Sequence, residues 1–260
     1  MNRFSNVFSS SLGKKLIMAS TGLFLCIFLI IHLIGNLKLF QADEGFAFNS
    51  YAHFMTTFIP IKIVSYLLYL SVIIHAFGAL IITRQNKRAR PIKYAVYEGR
   101  ANSSWSSRNM GILGTVLLVF IVIHMSDFWA RYKWGGIPYT RYETSIDIES
   151  PVTVINLPAS NSIAGYRDYV DVTKRVRVIV AKDLYKVVKK SFSQGWYVFL
   201  YVLSMLALSF HLIHGFKSGF ESLGWDHKKY MPVIKFIGTW GFGLIIPLLF
   251  ATIPLYFFFF

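Results

Sequence analysis

Five stretches of this chain are apolar over the roughly twenty residues a helix needs to cross a hydrocarbon layer, and the rest of the sequence must fit around them. They cover about 16–39, 61–83, 109–129, 196–217 and 233–256. In lipid a backbone has to satisfy its own N–H and C=O groups, and uninterrupted runs of this length do so as helices. With 55% hydrophobic and 17% aromatic residues and a mean hydropathy of +0.50, the chain is too apolar for an ordinary soluble domain. Its 260 residues suffice for one bundle. The expectation is an all-α integral membrane protein: a five-helix transmembrane bundle that forms a single domain over 1–260. Lys14 and Lys15 before the first run resemble the start of a secretory signal. The run continues past His32, beyond a signal's apolar length, so a retained helix is expected.

Charge and cysteine content narrow the chemistry. The single cysteine, Cys26, lies within the first run, which excludes a disulfide framework and a cysteine-rich metal site. The formal charge of +15 is dispersed between apolar runs and carries no nucleic-acid motif, so its partners are anionic lipid and protein subunits. The densest short basic loop, RQNKRARPIKYAVYEGRANSSWSSR over Arg84 to Arg108, is expected to face the cytoplasm. That orientation makes the N-terminus cytoplasmic and the C-terminus external, and it places a long loop, 130–195, outside. Eleven lysines and arginines between Arg131 and Lys190 run against a simple charge count, but loops of about sixty residues translocate largely regardless of charge. Within that loop Tyr169 to Val180 alternates in the manner of a strand, and Lys182 to Phe192 reads as an amphipathic helix on the membrane surface. The loop contains no catalytic motif and is expected to form a folded outer cap.

Four of the runs carry histidine, an expensive residue at membrane depth and a functional candidate for that reason. His32 lies six residues before Lys38 and His124 seven before Arg131, which places both about 10 Å below the outer surface at 1.5 Å per residue. His75, nine residues before Arg84, and His211, six before Lys217, lie about 9–13 Å from the inner surface. The first and third runs thus offer one pair, the second and fourth another. Paired neutral imidazoles on neighbouring helices are what a six-coordinate haem requires, so two haems are expected, with iron bound by His32 and His124 at the outer level and by His75 and His211 at the inner. A zinc site would need its ligands at one level. Gly35, Gly78 and Gly215 follow their histidines by three or four residues on the same helix face, where a missing side chain makes room for a flat ring. His214, one turn nearer the inner surface than His211, is an alternative ligand, a partner for a haem propionate or an interfacial donor. His53 and His227 fall in loops.

The five runs, single histidines in the first three, HAFGALIITRQNKRARP closing the second and HLIHGFKSGFESLGW after the fourth resemble the dihaem cytochrome b subunit of succinate:menaquinone oxidoreductases and related fumarate reductases. The resemblance covers the whole bundle. It implies the pairing that depth gives, and it favours His211 over His214 because the family's fourth-helix ligand has a glycine four residues later, here Gly215. It further implies a membrane anchor in a bacterial cytoplasmic membrane, bound to a flavoprotein (FAD) subunit and an iron–sulfur subunit. Electrons would pass from that iron–sulfur subunit through the inner and then the outer haem to a quinone, menaquinone in this family. The basic segments Arg84–Arg108 and Lys217–Lys229 would meet the two subunits and the inner propionates. Dicarboxylate chemistry would reside on the flavoprotein. Some fumarate reductases of the family carry a glutamate two residues before the fourth-helix ligand, linked to transmembrane proton movement; Ser209 stands there in this chain, and that path is not expected. Asp43, Glu44 and His53 are quinone-side candidates by position alone. The alternatives are a cytochrome b anchor of a formate dehydrogenase or hydrogenase, and a non-redox membrane transporter that uses its histidines for protons or packing.

Overall fold

A computed structural model describes residues 10–89, 99–147, 151–157 and 165–260. Among them, five helices are long and apolar enough to cross a membrane: α1 (Ser11–Phe40), α3 (Ile59–Arg88), α4 (Met110–Trp134), α6 (Gly195–Ser222) and α7 (Met231–Phe259). Helices α3, α4 and α6 continue several residues past their apolar runs into polar sequence. Among the described residues, two shorter helices of more than two turns lie between them, α2 (Phe46–Thr57) and α5 (Leu184–Phe192), besides the single turns Gly99–Asn102 and Trp105–Arg108. The apolar window of α6 is 39% buried against the rest of the chain and that of α3 not at all. Ile63, Leu67, Leu70 and Ile73 of α3 are exposed, as a helix that presents its side chains to hydrocarbon requires. Part of the basic segment Arg84–Arg108, residues 90–98, lies outside the described residues.

The chain divides into two compact units. The first comprises the described residues of Met1–Ile31, Ser65–Phe120 and Leu200–Thr252. Here α6 and α7 approach closely: a Cβ on Gly243 would lie 2.3 Å from Ile213 Cγ1, and one on Gly238 would lie 2.8 Å from Phe216 Cδ1. Phe216 also stacks on Phe242 with ring centres 4.5 Å apart. Pro247 explains the local shape of α7. It has no N–H to give the Gly243 carbonyl and its ring crowds that carbonyl. The helix widens to π-type spacing over Ile237–Ile245, just before the proline, and the Ser209 hydroxyl of α6 donates to the Gly243 carbonyl. Ser209→Ala removes this interhelical bond and is expected to cost about 1 kcal/mol, read as an earlier unfolding midpoint in mixed detergent micelles.

The second unit comprises His32–Val64, Ile121–Phe199 and Ile253–Phe260, again as described residues. It corrects the all-α expectation. Four strands, β1 (Tyr139–Ser145), β2 (Thr153–Asn156), β3 (Arg167–Asp171) and β4 (Val176–Lys182), form an antiparallel sheet in the order β2-β1-β4-β3. The β-branched run of Val176, Val178, Ile179 and Val180 suits the central strand β4, which pairs with β1 from Tyr139 opposite Lys182 to Ser145 opposite Val176. Tyr142, Ile179 and Ala181 form the sheet's core, with Phe46, Val152, Val154 and Tyr166 packed against it. The strand pattern over Tyr169–Val180 resolves as a hairpin, and the amphipathic segment forms helix α5 from Leu184. The stretch between α1 and α3, read as a loop, contains helix α2; Gly45 at φ +85° precedes it, where a Cβ would meet the Tyr185 ring within 2.4 Å.

A buried polar network joins these pieces. Asp183 caps α5 by accepting from the Lys186 backbone N–H (3.0 Å), and it also accepts from Asn49 Nδ2 (3.1 Å) and the Thr140 hydroxyl while facing Lys186 Nζ at 2.9 Å. Asn49 also donates to the Tyr142 hydroxyl (2.7 Å) and accepts from the Tyr185 N–H (3.0 Å). Asn49, Thr140, Tyr142 and Asp183 are all buried. Burial pushes the Tyr142 phenol pKa above its ordinary value, with the Asp183 charge adding to the effect.

Candidate functional site

The four span histidines meet as two pairs, one in each unit. In the second unit His32 of α1 and His124 of α4 have ring centres 5.7 Å apart and planes at 89°. Asn36 donates its amide to the His32 carbonyl (2.7 Å), where α1 tightens into its last turn, Leu37–Phe40. Immediately after His124, α4 takes π-type spacing over Met125–Ala130. Such insertions re-aim the side chains around them and recur at functional sites. Within the insertion Asp127 accepts from the Tyr197 hydroxyl of α6 (2.7 Å) and pairs with Arg131 at 3.4 Å. The sequence marked this turn only as lacking the glycine that follows the other histidines.

In the first unit His75 of α3 and His211 of α6 have ring centres 6.3 Å apart and planes at 62°. His75 Nδ1 lies 3.1 Å from the Thr21 hydroxyl of α1. A Cβ on Gly22 would come within 3.2 Å of His75 Cε1, and one on Gly114 within 3.8 Å of His211 Cε1, so glycines on α1 and α4 let both rings lie against neighbouring helices. Neither glycine follows a histidine in sequence, and neither was legible there. His211 Nδ1 is buried with no hydrogen-bond partner. His214, half-buried one turn further along α6, makes no ring contact with His75 comparable to that of His211.

These pairs bear on whether a haem fits. A metal–imidazole bond is about 2.0 Å and a ligating nitrogen lies about 1.2 Å from its ring centre, so two imidazoles on opposite sides of one metal have centres about 6.4 Å apart. The His75–His211 pair matches that spacing at 6.3 Å and the His32–His124 pair is slightly closer at 5.7 Å. Among the described residues no three His, Cys, Asp or Glu side chains gather as a metal cluster. Two neutral nitrogen donors per site suit a haem, whose own ring supplies the other four, and fall short of the three or four protein ligands of a zinc site.

The supporting glycines behave unequally. A Cβ on Gly215 would find its nearest atoms, His211 Cδ2 and Met110 Cε, at 4.0 Å, which leaves room beside the histidine. Gly35 and Gly78 are approached by this chain's own side chains: Tyr51 Cε1 would lie 2.4 Å from a Cβ on Gly35, and Met18 Sδ 2.7 Å from one on Gly78. The room at those two glycines is taken up by helix packing.

The quinone-side candidates have structural tasks. Asp43 accepts from the backbone N–H groups of Gly45 (3.0 Å) and Ala47 (2.8 Å) and so starts α2. Glu44 holds a turn at φ +53°. His53 stacks face to face on Tyr166, ring centres 3.6 Å apart, and partial burial lowers its pKa. On the basic segments Arg108 donates to the Gly99 carbonyl (2.7 Å) and to the Ser103 carbonyl, Lys217 pairs with Glu221 at 3.0 Å, and His227 accepts from the Lys229 N–H. No protein family, curated protein or solved structure matches the chain.

Proposed function

We propose that this chain is a dihaem cytochrome b that anchors a succinate dehydrogenase or fumarate reductase to a bacterial cytoplasmic membrane and passes electrons between an iron–sulfur subunit and a quinone, menaquinone above all. The observation that carries the reading is the meeting of four histidines from four different spans as two pairs, at ring separations of 5.7 and 6.3 Å. Ionisable groups at membrane depth are costly, and ligation would offset that cost. Haem b bound in each pair would supply reversible one-electron exchange at an iron with no open coordination position.

The chain's own residues do the rest. His32 and His124 would hold one iron, His75 and His211 the other, each imidazole presenting a neutral nitrogen lone pair. Arg84, Lys87 and Arg88 at the end of α3 and Lys217 at the end of α6 form the basic end of the bundle, suited to the propionates and to the two peripheral subunits. The resemblance in HLIHGFKSGFESLGW and HAFGALIITRQNKRARP selects succinate and fumarate over other quinone-linked substrates.

Purified protein reduced with dithionite is expected to show a b-type α band, with two haems per chain by pyridine haemochrome. Absence of that band would end the redox reading and return the histidines to packing or proton transfer. Co-purification of a covalent-flavin protein and an iron–sulfur protein is the expected outcome for the succinate reading. A molybdenum or nickel subunit in their place would reassign the anchor to a formate dehydrogenase or hydrogenase.

A further inference from the structure

The inner histidines differ in what stands behind them. Thr21 donates its one hydroxyl proton back to the Ile17 carbonyl at 2.7 Å, the i−4 bond common for threonine in apolar helices, with the Met18 carbonyl at 3.2 Å. Its oxygen is then an acceptor, and the group facing it at 3.1 Å is His75 Nδ1. The Met18 backbone carbonyl also accepts from the His75 ring, and the two acceptors together put the ring proton on Nδ1 and leave the lone pair on Nε2. Gly22, the next residue, lets the His75 ring lie against α1 where any Cβ would stand 3.2 Å from Cε1. On the other side of the pair His211 Nδ1 is buried with no such partner.

We propose that Thr21 is a positioning residue for His75: its hydroxyl, beside the Met18 carbonyl, fixes the tautomer and ring orientation that aim Nε2 at the site shared with His211, and it makes the two histidines that would hold the inner haem unequal. The inference rests on the dihaem reading and goes beyond it, since neither composition, depth nor the histidine spacing points to Thr21. An imidazole that donates its outer N–H is a more basic ligand, which favours ferric over ferrous iron. Loss of such a partner typically weakens metal binding about 10–100-fold. If the ferric form loses tenfold more than the ferrous, the potential of that haem rises by about 59 mV.

The test uses the purified holoprotein, with Thr21→Val to delete the hydroxyl at constant shape and Thr21→Ser to restore it. In a redox titration followed in the b-type α band, Thr21→Val is expected to raise the potential of one of the two components and leave the other in place. Haem transfer from it to apomyoglobin is expected to be about 10–100-fold faster for that component alone, and Thr21→Ser is expected to behave as the parent. Two unshifted components with parental transfer rates in Thr21→Val would overturn the proposal, as would a Thr21→Ser protein that follows the valine variant. If the valine variant does not accumulate, Thr21→Ala carries the same comparison, because it too deletes the hydroxyl. A parent protein with no b-type band would instead sink the dihaem reading, a result distinct from any of these.

Discussion

If the chain binds two haems as proposed, purified His211→Ala protein is expected to retain one of them, whereas His214→Ala is expected to retain both. The two residues are one turn apart on α6, and only His211 brings its ring to the partner from α3, at 6.3 Å between centres. With alanine at 211 only the His75 imidazole of that pair would be left to hold a haem. The α-band amplitude should fall to about half and the pyridine haemochrome count to one per chain, with the component tied to His32 and His124 intact. In His214→Ala the count should stay at two, because the substitution removes a half-buried ring nearer the end of the helix. The reverse pattern would move the ligand one turn along α6 and leave His211, whose Nδ1 is buried without a partner, as a packing residue.

Much of this arrangement was legible because membrane depth is a linear function of residue number along a helix. His32, His75, His124 and His211 could be sorted into two levels from their distance to the nearest basic residue, and the rings that meet in space are the ones so sorted. The five spans were legible because an apolar run of that length has few alternatives in lipid. What the linear argument misses lies beside it, across helix interfaces. Thr21, Gly22 and Gly114 support the inner rings from helices whose own histidines, if any, belong to the other pair. Gly35 and Gly78 show the opposite error: spacing places them next to histidines, but Tyr51 and Met18 occupy the space. The sheet was half legible, since the β-branched run of β4 gave a strand signal and the mixed polar sequence of β1 gave none. Asn49 gave no signal at all. One asparagine in a polar stretch has no periodicity, and its value comes only from the three partners the fold brings to it.

Asp183→Ala is expected to open the four-stranded sheet while leaving the helices of the first unit protected. The carboxylate is 1% exposed and accepts from the Thr140 hydroxyl, Asn49 Nδ2 and the Lys186 backbone N–H, with Lys186 Nζ 2.9 Å away. Removing it strands two buried donors, deletes the cap of α5 and leaves an ammonium without its counter-charge. Lys186 is 43% exposed and its ammonium can be hydrated, so the loss comes from the two stranded buried donors and the cap, about 3 kcal/mol together, of which the cap accounts for about 1. At about 3 kcal/mol the local opening equilibrium shifts by a factor of roughly 100. Hydrogen exchange should therefore accelerate by that factor at the amides of Val178 to Ala181 on β4 and at those of α5, with Leu200–Ser222 unchanged. Asp183→Asn keeps one acceptor oxygen and the side-chain shape, and it should fall between the parent and the alanine variant. Unchanged exchange on β4 in the alanine protein would mean that the apolar core around Tyr142 and Ile179 holds the sheet without the polar network. Equal acceleration in Leu200–Ser222 would mean that the network stabilises the first unit as well, against the division into two units that the contacts describe.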